Sequence, residues 1–193
     1  PEEDAALADA LANAGIETFL AAFVQPAMAG SSEAEPSLPI APLLDTSWPA
    51  SINVPVDDDG QVRRFPWSIR IQEETISSLP SLLAGKEGGD GDLAIDHSIK
   101  AETIPRVSYV DLLHGRVDPA ALSGRSLIVG ASAIELHDLF RIPTSGVVSG
   151  STVIALAAET LLQDRSVTSW DPPTLLVLAL LAAGFVLVCR CPM

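Results

Sequence analysis

Leu122-Ser-Gly-Arg-Ser-Leu-Ile-Val-Gly-Ala-Ser132 is the stretch on which the fold class turns. Ser126 to Val129 is a short apolar run with Gly130 directly behind it. That is how a buried strand of an α/β sheet reads as it breaks into a loop. A short acidic loop passes through His137 and Asp138, and a glycine-punctuated loop leads on to Ser151–Leu162. There Ile154, Ala157, Ala158, Leu161 and Leu162 share one helical face, with Ser151 or Thr152 as cap. Ligands of open α/β sheets sit beyond the carboxyl ends of the strands. A ligand site is therefore expected around this strand, loop and helix.

Upstream, Glu2, Glu3 and Asp4 suit a first helical turn, Leu7, Ala8 and Leu11 form a stripe, and Gly15 ends the helix. Ile16 to Val24 is strand-like. The chain thus reads as entering an α/β pattern part-way, without a preceding strand, as a fragment of a longer protein. Residues 25–50 form a Pro/Ser/Ala-rich connector with one short edge strand expected over Leu38–Leu44. Ser51–Val56 and Val62–Ile71 flank Asp57-Asp58-Asp59-Gly60, the pattern of a β-hairpin. Pro80–Ala84 reads as a short helix closed by Gly85, and Leu93–Ile99 as a further strand. Tyr109–His114 reads as a helix capped by Ser108 and stopped by Gly115, and Asp118-Pro119 opens another short turn.

Downstream, Thr174 to Cys189 holds no charged residue. Its sixteen residues span about 24 Å as a helix, and counting from Trp170 to Arg190 reaches an adequate span for a ~30 Å hydrocarbon core. Its ten Leu, Val and Phe residues favour insertion by a few kcal/mol. The lone Arg190 beyond it places the tail in the cytoplasm and the acidic part outside. The expected organisation is a sensory-size domain over 1–169, a transmembrane helix over 170–190 and a stub over 191–193. The expected fold is α/β, with a mixed, largely parallel sheet, flanking helices and a β-hairpin.

With 11 Lys and Arg against 25 Asp and Glu, the net charge is −14, which disfavours a nucleic-acid partner. The two cysteines, Cys189 and Cys191, lie at the extreme end, so the body has no thiol for a disulfide, metal or nucleophile. His97, His114 and His137 lack metal-ligand spacing, so neither a metal site nor a cofactor is expected.

Three features carry possible chemistry. Ser132 follows the strand but in Gly-Ala-Ser-Ala-Ile rather than the Gly-x-Ser-x-Gly of a hydrolase, and a close-packed turn of small residues is the plainer reading. His137 and Asp138 are a base and orienter only in principle, and Asp138 reads foremost as a loop anchor. Arg63 and Arg64 should point to opposite faces of a strand, one towards an anion and the other towards Asp57–Asp59. The candidate ligand-binding residues are thus Arg63, Arg64, Ser132, His137 and Asp138.

The order of these motifs resembles the second type of CHASE domain. The resemblance rests on Asp59-Gly60-x-Val62-Arg63-Arg64, Pro80-Ser81-Leu82, Pro105-Arg106-Val107-Ser108 and Asp111-Leu-Leu-His-Gly115. It continues through Leu122–Ser132, Asp138, Pro143 and Gly150–Leu162, with Ile154 where the family usually carries His. It implies an extracytoplasmic sensor in the bacterial inner membrane, non-catalytic itself and homodimeric in the full receptor. The implied output is a cytoplasmic adenylate cyclase or kinase, and the signal a small molecule or an envelope cue. Membrane lipid would contact residues 174–189. The competing class is an anchored or secreted serine hydrolase using Ser132 and His137.

Overall fold

Helix α5 (Gly150–Leu162) is the centre of the larger of two hydrophobic clusters among the described residues, the smaller being Ala22, Ile71 and Ile76. Ala155, Leu156, Ala157 and Ala158 supply strong helix formers mid-span. Val153, Ile154, Leu156, Ala157, Ala158, Thr160 and Leu161 are all buried, so the helix is enclosed on most sides. Leu162, expected on the buried face, is 54% exposed. Around α5 gather Val62, Phe65, Leu93, Ile95, Ile142 and Val148 from distant parts of the chain. A fully buried Leu156 or Val153 contributes about 1.5–3 kcal/mol. The structure, a computed structural model, describes residues 2–26, 34–132, 138–166, 176–177 and 179–181.

The strands are short and fall into four small sheets. β1 (Phe19–Pro26) lies between β2 (Ala34–Ser37) and β3 (Trp48–Ser51), antiparallel to the first and parallel to the second. β4 (Arg64–Pro66) pairs with β7 (Asp92–Ala94), β5 (Ser68–Ile71) with β6 (Glu74–Ser77), and β8 (Leu139–Ile142) with β9 (Gly146–Ser149). Each of these three pairs is antiparallel. The fold is thus mixed α/β, as expected, but the largely parallel sheet is not found among the described residues. Tight connections explain two of these pairs, β5–β6 and β8–β9: only antiparallel neighbours can be joined by a two- or three-residue turn. Gln72 (φ 56°) makes that turn between β5 and β6, and Gly146 (φ 70°) starts β9.

The expected hairpin keeps its turn and loses its ladder. Asp57 N–H donates to Gln61 O (2.8 Å) and Gly60 N–H to Asp57 O (2.8 Å), closing the turn. Beyond it the arms part, because distant segments take their backbone groups. Val62 N–H donates to Arg141 O, Arg63 O accepts from Ile95 N–H, and β3 pairs with β1.

The expected strand at Ser126–Val129 is also overturned. It joins no ladder, and Leu127 (56%) and Val129 (81%) are exposed, while Ile128 alone of the run packs on the core. The segment closes onto the start of α5 instead of onto a strand, since a Cβ at Gly130 would lie 2.6 Å from Ser151 Cβ. The close-packed-turn reading of this glycine is the one the structure supports.

Helix ends follow the sequence more closely. α1 (Glu2–Asn13) precedes Gly15 (φ 65°), yet no residue of α1 is buried, and it rests against α2 (Ala41–Leu44) where an edge strand was expected. α3 (Leu79–Leu83) and α4 (Tyr109–Leu113) stop before Gly85 (φ 62°) and Gly115 (φ 65°). Asp118 accepts from Ala120 N–H (2.9 Å), capping the 3-10 turn Pro119–Ala121. Among the described residues no helix is long and apolar enough to cross a membrane. The segment expected to span, 170–190, lies outside them apart from 176–177 and 179–181.

Candidate functional site

The start of α5 is a cluster of hydroxyls. The expected caps Ser151 and Thr152 lie inside the helix, and Ser149 occupies the cap position without bonding the backbone through its side chain. Its Oγ instead meets Ser151 Oγ (3.0 Å) and Thr152 Oγ1 (2.9 Å). Arg106 Nη2 donates to Thr152 Oγ1 (3.2 Å), bringing one of eleven cations onto the helix start. Asp138 lies against the same end: its carbonyl accepts from Gly150 N–H (3.0 Å), and its Oδ2 would lie 2.7 Å from a Cβ at Gly150. Only glycine leaves room for that carboxylate. A carboxylate beside the positive end of a helix is electrostatically favourable by about 0.3–1 kcal/mol when exposed.

Ser132, Ser145, Ser149, Arg106 and Glu102 line a cleft of about 320 Å³ here, floored by Val148. The expected site residues thus divide. Ser132 lines the cleft, Asp138 braces the helix start beside it, and His137 lies outside the described residues. Arg63 and Arg64 line a different cleft, of about 400 Å³, with Asp57 and Asp59.

Both arginines turn to the same acidic loop. Arg63 contacts Asp57 Oδ2 (2.9 Å) and grips Asp59 with both Nη atoms, and Arg64 contacts Asp57 Oδ1 (2.5 Å). The expected opposite orientation fails because Arg63 lies ahead of β4, where strand alternation does not apply. Arg63 holds the Asp59 carboxyl down to about 2. Arg64, then Arg63, lowers that of Asp57. Guanidiniums so neutralised hold the turn and have little charge left for a ligand.

Sequence reasoning missed Arg106 and Ser149 as site residues, and took Thr152 only as a helix cap. Arg106 was visible within the Pro105-Arg106-Val107-Ser108 motif, but its partner is 46 positions away. Among the described residues no three His, Cys, Asp or Glu side chains gather to hold a metal. His137, the base expected for a hydrolytic Ser132, lies outside the described residues.

The CHASE2 domain model matches residues 1–189. No curated protein and no solved structure matches the chain. With the motif order, the mixed α/β fold and a match over almost its whole length, the chain belongs to the CHASE2 family, the extracytoplasmic sensory domains of membrane receptors.

Proposed function

We propose that this chain is the signal-input domain of a bacterial inner-membrane receptor and that the cleft at the start of α5 receives its ligand. The observation that carries the reading is the Arg106–Thr152 contact (3.2 Å), which ties a cleft-lining cation to the buried central helix. A small anionic or polyhydroxyl molecule in the cleft competes for Arg106 and for the Ser149 and Ser132 hydroxyls. Its differential affinity for two arrangements of the α5 start is what shifts their populations. From α5 the change passes to the segment after 166, which we assign to a membrane span over 170–190. The output domain is a cytoplasmic cyclase or kinase, and dimerisation of the receptor brings two such domains together.

Thermal unfolding of the 193-residue chain against a panel of carboxylates, phosphates and sugars tests the cleft. A ligand at a hundred times its Kd stabilises by about 2.7 kcal/mol. The expected result is at least one compound that raises Tm for the native chain and not for Arg106→Ala. A compound that shifts both chains equally binds elsewhere, and the assignment of the cleft is then wrong.

A further inference from the structure

His97 is a titratable group that the cleft does not use. Both its ring nitrogens, Nδ1 and Nε2, are shielded from solvent and have no hydrogen-bond partner. A neutral imidazole carries one N–H, so this arrangement already leaves a donor unsatisfied, and an imidazolium would leave two.

The loop that holds the ring joins three parts of the fold. The His97 carbonyl accepts from Thr144 Oγ1 (2.8 Å) in the β8–β9 turn. Next to it, Ile95 N–H donates to Arg63 O (2.9 Å) beside β4. Towards α5, Asp96 N–H donates to the buried Thr160 Oγ1 (3.0 Å). Asp96 Oδ2 pairs with Arg165 Nε (2.7 Å), whose Nη2 donates to Ser98 Oγ (2.7 Å). Arg165 lies three residues past the end of α5, so this loop clasps the exit of the central helix.

Charges act on the imidazole from both sides. Burial is the largest influence and, with Arg63 beside β4, lowers its proton affinity below the ordinary 6.5. Asp96 on its own loop opposes this without overcoming it, as does the Val62 backbone, which approaches the ring short of hydrogen-bond geometry. Arg165, from the α5 exit, reaches the loop through Asp96. Arg141 of β8 engages the neighbouring Val62 through its backbone carbonyl.

We propose that His97 is a proton-operated latch, whose imidazole on protonation draws the Asp96–Ile99 loop open to water and frees the exit of α5. The latch deepens the sensory reading by naming a signal, the proton, and is independent of the cleft. Because the neutral form is the one the fold accommodates, its contribution is whole above about pH 6.5. It is lost as pH falls from there towards the lowered folded value.

Amide hydrogen exchange on the full chain, corrected for intrinsic rates, reads the latch between about pH 7.5 and about pH 5. The amides of Asp96, Ser98, Ile99 and Arg165 should lose protection by about tenfold for each unit of pKa depression. His97→Gln, which cannot charge, should show no such step. Protection that is independent of pH in the native chain, or an equal step in the Gln variant, overturns the latch. Should the variant not fold, the His97 ring titration in the native chain decides by NMR. A midpoint below 6.5 that coincides with the exchange step supports the latch, and one at or above 6.5 overturns it. Failure here leaves the ligand shift at the cleft, and its dependence on Arg106, as a separate test of the sensory reading.

Discussion

Thr160 shows how a single hydroxyl fixes the position of a loop. It is fully buried, donates to Leu156 O (2.7 Å) within α5, and accepts from Asp96 N–H (3.0 Å) across the core. Thr160→Val keeps the shape but leaves the Asp96 amide without an acceptor. An orphaned buried donor costs about 1–3 kcal/mol. The expected result is a fall of that size in unfolding free energy, measured by urea denaturation with an unchanged m-value. Thr160→Ser, which retains the oxygen, should recover most of it. An unaltered stability in Thr160→Val would mean that water reaches the Asp96 amide and that the loop is not held by α5.

Between elements the contrast is in packing. α5 buries nine of its thirteen residues. α4 buries none: Tyr109, Val110 and Leu113 within it and Val107 just before it are all exposed, as are Leu127 and Val129 further along the chain. Segments with few buried contacts open at low free energy. Trypsin should therefore cut first at Arg116 or Arg125, before Arg63 or Arg64, whose backbone is paired with Ile95 and Ala94. Mass analysis of the earliest fragments checks this, and a first cut at Arg63 or Arg64 would reverse the assigned order of local stability. The same contrast shows what was legible in the sequence. Helix ends were, because Gly85, Gly115 and the Asp118-Pro119 pair act on their immediate neighbours. The pairing of an arginine with Asp57–Asp59 was too, being only a few positions long. Sheet membership was not: Val129 is as apolar as a core strand residue, but nothing in the run itself says whether another strand will cover it. Nor was the cleft, whose Arg106 and Thr152 meet only after the intervening chain has folded. His97 was seen only as lacking metal-ligand spacing, since burial of a ring nitrogen is a property of the folded core.

At the scale of the whole molecule the proposed topology rests on the charge and on the apolar tail. The chain carries −14, while Thr174 to Cys189 carries no charge at all. Under the proposed topology residues 1–169 face outward and Cys189 and Cys191 end at the cytoplasmic face. The lone Arg190 beyond the apolar run, read with the positive-inside bias, supports that orientation. Both native cysteines lie in the tail, so thiol labelling distinguishes the two ends of the chain. Glu73, with a side chain 94% exposed in the β5–β6 turn, is a suitable place for a reporter. In intact cells a membrane-impermeant maleimide should label Glu73→Cys and leave the native pair untouched until the membrane is opened. Labelling of Cys189 or Cys191 from outside would invert the tail. Protection of all three thiols until permeabilisation would put the domain itself inside. Either result would remove the membrane relay, because the cleft and the exit of α5 could then no longer report on the envelope to a cytoplasmic enzyme.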